Sequence, residues 1–123
     1  MDKVVHFEIP ADDLERAKQF YSSVFGWEIK SYNEWYLSAT TAKIGENGES
    51  IEPGAINGGI QKRGERAKAP TIVISVSNID ETLDKISKAG GKIAILKEEV
   101  KGMGFYAQFD DSEGSRIGLF QSL

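Results

Sequence analysis

The only histidine of the chain, His6, stands two residues before Glu8 in the opening run Val4-Val5-His6-Phe7-Glu8-Ile9. In an extended strand, side chains two apart share one face. An imidazole and a carboxylate side by side suit acid–base chemistry, because imidazole titrates near neutrality. The alternative for His6, a polar residue on a wet sheet face bonded to Glu8 or water, stays open. As metal donors the pair falls short, since catalytic centres use about three protein ligands. No cysteine occurs, which excludes thiolate sites, disulfides and a cysteine nucleophile. No GxSxG, GxGxxG or GxxxxGK[ST] spacing is present either.

The elements that must hold such a pair repeat along the chain. Residues 4–9 alternate as a strand, and Asp12 or Asp13 can cap a helix carrying Leu14, Ala17, Phe20, Tyr21 and Val24 at helical spacing. Gly26 is placed to end that helix in a left-handed conformation. Strands are predicted at about 27–32, 35–42 and 54–62, with a polar loop at 43–50. Residues 71–77 alternate again, and Asn78 or Asp80 opens a helix with Ile79, Leu83, Ile86 and Ala89 on one face. Gly90-Gly91 closes it, and strands are predicted at about 92–98, 104–110 and 116–122. The expectation is one domain over 1–123: a first half at about 1–62, a linker at 63–70 and a second half at about 71–123. The fold class is α+β, two tandem βαβββ modules forming a curved mixed sheet with a concave ligand cleft and helices on the convex face.

Strand alternation assigns the faces. Val5, Phe7, Ile9, Ile56, Ile60, Ile72, Ile74, Val76, Phe105, Ala107, Phe109, Ile117 and Leu119 are expected towards the helices. The opposite face then collects His6, Glu8, Asn57, Gln61, Thr71, Tyr106, Gln108, Arg116 and Phe120. His6 and Glu8 are the acid–base candidates, and the other seven are ligand-binding candidates. Arg116 offers a planar fork for a carboxylate, either that of Glu8 or that of a ligand. Trp27, Trp35, Tyr36, Tyr106 and Phe120 supply flat apolar walls, although Trp27 suits the core or a subunit interface better. Gly58-Gly59 within a strand marks a bulge or a close approach.

The stretch His6-Phe7-Glu8-Ile9-Pro10-Ala11-Asp12-Asp13-Leu14-Glu15-Arg16-Ala17, with Phe20-Tyr21 and Val24-Phe25-Gly26-Trp27, resembles the opening half of the vicinal oxygen chelate superfamily. That superfamily holds glyoxalase I, bleomycin-resistance proteins and extradiol dioxygenases. Phe109 to Phe120 resembles its final turn and strand. The resemblance implies a divalent metal on the concave face, held by His or Glu from the first and last strand of each half. His6 matches the first of these positions, while Thr71, Gly59 and Gly118 match the others. It also implies a homodimer.

These residues lead to a small-molecule-binding protein that lacks the standard metal site, with His6 and Glu8 as the ligands if a metal is bound and a third donor from Glu28 or a second subunit. No cofactor is expected; zinc, nickel, manganese or iron would be the metal otherwise. In that event the protein would be a lyase, isomerase or dioxygenase of non-standard site. A formal net charge of −4 gives no general attraction to nucleic acid or anionic membranes. No apolar run approaches the roughly 20 residues of a membrane span, and the opening decapeptide lacks a leader pattern. A cytoplasmic location with a small organic ligand as partner is the expectation.

Overall fold

The computed structural model describes residues 1–123. The chain is α+β and runs β1 (Lys3–Ala11), α1 (Leu14–Phe25), β2 (Glu28–Asn33), β3 (Tyr36–Thr40), β4 (Asn57–Lys62), β5 (Thr71–Ser75), α2 (Ile79–Lys88), β6 (Lys92–Val100), β7 (Gly104–Asp110) and β8 (Arg116–Ser122). This is the doubled βαβββ order. Two compact units result: His6–Pro70, and Met1–Val5 together with Thr71–Leu123. The division thus falls inside β1.

In the first unit β2 pairs antiparallel with β3, β3 antiparallel with β4, and β4 parallel with β1. Asp13 caps α1, its carboxylate accepting from the Arg16 amide at 2.9 Å. Gly26 ends the helix at φ 73°, the left-handed conformation its missing Cβ permits. Ala11, Ile29, Leu37, Ala39 and Ile60 form the core, with Phe7, Ile9, Leu14, Ala17, Tyr21 and Trp27 packed on it. Trp27 stacks on Tyr21 at 4.7 Å. Phe20 and Val24, expected on the buried stripe of α1, are 54% and 57% exposed, and no residue of α1 is fully buried. The helix is turned so that Leu14, Ala17 and Tyr21 meet the sheet. Asp13→Ala is expected to cost about 1 kcal/mol, the usual worth of such a cap, read as a lower urea midpoint at constant slope.

In the second unit β5 pairs parallel with β8, β8 antiparallel with β7, and β7 antiparallel with β6. Asn78 caps α2 by accepting from the Glu81 amide at 3.0 Å. Ile79 and Leu83 are buried against Val76, Ala107, Phe109 and Leu119, while Ala89 at the helix end is exposed. The face assignment holds at β4 and β8, where Ile60 and Leu119 lie on the helix side and Gly59 and Gly118 on the other, whereas Val5 and Ile72, expected under the helices, are exposed. The segment 63–70 is more ordered than a bare solvated link. Arg63 pairs with Asp12 at 2.9 Å and Ala67 is buried in a turn closed on Gly64. The loop 43–50 is likewise a small hairpin, bridged between Ile44 and Ser50.

Candidate functional site

The parallel ladders fix which residues correspond between the halves. In the first, Glu8 lies opposite Gly59 and His6 opposite Asn57. In the second, Val73 lies opposite Gly118. Gly59 and Gly118 are thus equivalent, as are Glu8 and Val73. The neighbouring antiparallel ladders extend the match. Tyr36 faces Gln61 and Ser38 faces Gly59, while Tyr106 faces Phe120 and Gln108 faces Gly118. Tyr36 and Tyr106 therefore hold the same place in their halves, diagonal to the glycine by two residues, within reach of a long ring.

Both rings use that reach. A Cβ on Gly59 would run into the hydroxyl and ring end of Tyr36, and one on Gly118 would lie 2.9 Å from the Tyr106 hydroxyl. The space beside each glycine is taken, in each half, by a phenol. The Gly58-Gly59 pair causes no bulge, since the ladders with β1 and β3 run through it in regular register. It serves two close approaches on opposite faces: Gly58 against Phe7 and Gly59 against Tyr36.

In the first half Tyr36 reaches across Gly59 to His6, whose Nε2 lies 2.9 Å from the Tyr36 hydroxyl. Either ring tautomer satisfies this contact. Burial lowers the His6 pKa to about 4, so the imidazole is neutral at pH 7. Glu8 and Gln61 are buried polar residues on this face. Asn57 accepts the backbone N–H groups of Thr41 and Ala42, both at 2.8 Å, which fixes the orientation of its amide. Its Nδ2 is buried with no hydrogen-bond partner. A buried donor left unsatisfied costs about 1–3 kcal/mol, so this amide marks a place where a ligand acceptor would be stabilising.

In the second half Arg116 is held by Asp110, with Nε–Oδ1 at 2.6 Å and Nη2–Oδ2 at 3.4 Å. Its Nη1 donates to Gln108 Oε1 at 3.3 Å, and Gln108 Nε2 donates to the Tyr106 hydroxyl at 2.8 Å. Gln108 is 1% exposed. Thr71 donates its hydroxyl to the Arg116 carbonyl at 2.5 Å. Phe120, directly opposite Tyr106, is half-buried. The first half thus brings His6, Glu8, Asn57 and Gln61 together, and the second brings Thr71, Tyr106, Gln108, Arg116 and Phe120 together. Alternation alone did not mark Tyr36 as the partner of His6. The signal lay in the two glycines of β4 and β8, each needing a ring from the adjacent strand.

The donor set fits a divalent metal poorly. Two of the four positions implied by the resemblance are glycines whose side-chain space holds a tyrosine hydroxyl. The third, Thr71, has its hydroxyl committed to a backbone carbonyl, and His6 Nε2 is engaged by Tyr36. Within neither half do three histidine, aspartate or glutamate side chains converge.

Comparison with known proteins fits this architecture. A glyoxylase-like domain-containing protein of Didymella fabae is 31% identical over 113 residues, covering 88% of this chain and 84% of that protein. A lactoylglutathione lyase of Escherichia coli O157:H7 is 27% identical over 124 residues, covering 97% and 92%. Among solved structures, methylmalonyl-CoA epimerase from Mycobacterium tuberculosis superposes with a TM-score of 0.65 at 14% identity, covering 98% of this chain and 87% of that one. That last likeness concerns the fold alone. The family pattern matches residues 3–119, and the chain belongs to the Glyoxalase/Bleomycin resistance protein/Dioxygenase superfamily.

Proposed function

We propose that this protein is a small-molecule-binding member of the superfamily that works without the standard metal centre. Its ligand is an organic molecule received on the sheet face opposite the helices. The observation that carries the reading is the phenol laid over a glycine at the same place in both halves. Each half offers its own ligand-reading groups: Asn57 and Gln61 in the first, and Tyr106, Gln108 and Phe120 in the second. Thr71 and Arg116 hold the second set in place through Gln108 and the β8 backbone. His6 and Glu8 are the acid–base candidates should turnover occur. Cytoplasmic residence and a homodimer belong to the same proposal. The exposed Phe20, Val24 and Phe25 on and beside the uncovered face of α1 support a second copy as partner.

The likeness to a lactoylglutathione lyase supports a second reading. It is an enzyme of lyase, isomerase or dioxygenase type with a divalent metal on His6 and Glu8. Elemental analysis separates the two after incubation with zinc, nickel, manganese, iron or cobalt and desalting. Under the first reading retained metal stays below about a tenth of an equivalent, as expected where three protein ligands do not converge. One equivalent held by the wild type and lost in His6→Ala establishes the second.

A further inference from the structure

Asparagine followed by glycine occurs twice, at Asn47-Gly48 and Asn57-Gly58. Such a pair is chemically labile, because no Cβ on the glycine keeps its amide nitrogen from the asparagine Cγ. The structure puts the two pairs in opposite settings. Asn47 and Gly48 are exposed at the tip of the 43–50 hairpin. The Asn47 backbone N–H donates to Glu49 Oε2 at 3.0 Å, and its side chain stands in solvent. The Gly48 N–H donates to the Gly45 carbonyl at 3.1 Å, and Gly48 turns the chain at φ 80°. Two more backbone bonds close the hairpin, Gly45 to the Glu49 carbonyl at 2.8 Å and Ile51 to the Lys43 carbonyl at 2.9 Å. A tip tied so lightly opens at low cost. Asn57-Gly58 instead lies inside β4, between β1 and β3. Asn57 Oδ1 holds the Thr41 and Ala42 amides, and the Phe7 carbonyl and ring fill the space where a Gly58 Cβ would stand. Bringing the Gly58 nitrogen onto the Asn57 Cγ would mean turning that peptide out of the sheet.

We infer that Asn47 is a site of spontaneous covalent modification, and that the fold spares Asn57. The reaction needs water and no other reagent. In the opened hairpin the Gly48 nitrogen attacks the Asn47 Cγ and a carbon–nitrogen bond forms. The amide proton passes through solvent to the side-chain nitrogen, which leaves as ammonia. The product is a five-membered succinimide, which water opens at either carbonyl. Opening at the side-chain carbonyl gives aspartate; opening at the backbone carbonyl gives isoaspartate, whose main chain runs through the former side chain. Either product places a carboxylate among Glu46, Glu49 and Glu52. The new charge opposes the Glu49 carboxylate, which is drawn onto the Asn47 backbone N–H. Isoaspartate also adds one backbone carbon between Gly45 and Glu49, so their hydrogen bond falls out of register and the hairpin loosens. The site and its consequence are independent of the ligand face.

Ageing the intact protein near neutral pH in water enriched in heavy oxygen labels each conversion and separates it from any made during digestion. Electron-transfer fragmentation of the tryptic peptide 44–62, which carries both asparagines, assigns the label and distinguishes aspartate from isoaspartate. Asn47 is expected to convert about tenfold faster than Asn57 or more, because Asn57 must first give up two hydrogen bonds, each worth up to about a factor of ten. In denaturing urea the two are expected to convert at similar rates. No conversion at Asn47 in the folded protein, or a preference no larger there than in urea, overturns the inference. The hairpin is read by NMR on the aged sample. Ile44 and Ser50 face each other in the antiparallel bridge without exchanging hydrogen bonds, an arrangement that brings their α-protons close. The Overhauser contact between them is expected in fresh protein and in aged Asn47→Gln, whose larger ring closes slowly, and is expected to be lost in the isoaspartate chain. Its persistence there overturns the loosening.

Discussion

Gly58→Ala is expected to destabilise the protein by about 3 kcal/mol, the upper end of what overpacking costs. The added methyl would press on the Phe7 carbonyl oxygen and on the Phe7 ring. Phe7 is the register partner of Gly58 in the parallel ladder, and its ring is backed by Trp27 at 5.4 Å. Neither the backbone nor the ring has room to retreat without parting β1 from β4. Gly59→Ala makes the contrast. Its methyl meets the far end of the Tyr36 side chain, which can swing aside. The cost should stay near 1 kcal/mol, with the phenol released from His6. Urea midpoints of the two variants decide the matter; equal losses would mean that β1 and β4 separate more readily than their ladder implies.

Acid should weaken this protein through His6. The folded-state pKa of His6, about 4, lies below the unfolded value of 6.5. The unfolded chain therefore binds the proton first, and the contribution of neutral buried His6 is full above pH 6.5. It is lost as pH falls from 6.5 to 4, and is flat below. A gap of this size corresponds to about 3 kcal/mol. The informative quantity is the difference between the wild type and His6→Gln, in which every other titrating group cancels. That variant is expected to keep its urea midpoint between pH 6.5 and 5 while the wild type declines. Parallel curves would show that His6 is solvated enough to titrate normally.

Gly59→Ala joins the two results. Once Tyr36 swings off, His6 gains water, and its titration should move up towards 6.5.

Much of the frame was legible in the sequence, because alternation of period two and stripes of period 3.6 are set by side-chain geometry. Thr71, Gly104 and Arg116 open their strands where expected, and Asp13, Gly26 and Asn78 act as the caps their chemistry suits. The stripe of α1 was over-read. Phe20 and Val24 have the right spacing, but periodicity does not say which side of an apolar helix the sheet will cover. At the site, alternation correctly set Gly59, Gly118, Tyr106 and Gln108 on the face away from the helices. It could not disclose that a tyrosine leans two residues along the neighbouring strand, because that depends on rotamer and register together. The partner of Arg116 was also beyond reach. Asp110 sits at the far end of the adjacent strand, and only the antiparallel register brings it opposite Arg116.

The two phenols also constrain the order in which sequences can change. A carboxylate at position 59 or 118 needs the volume that Tyr36 or Tyr106 fills. Any lineage connecting this chain to one with a carboxylate at either position must first displace or shrink the tyrosine, giving up its contacts, or change both residues at once. The intermediate with neither ring nor carboxylate carries a void beside a buried strand, which costs stability in its own right. Each half thus sits behind a barrier in sequence space, and the barrier is steric before it is chemical.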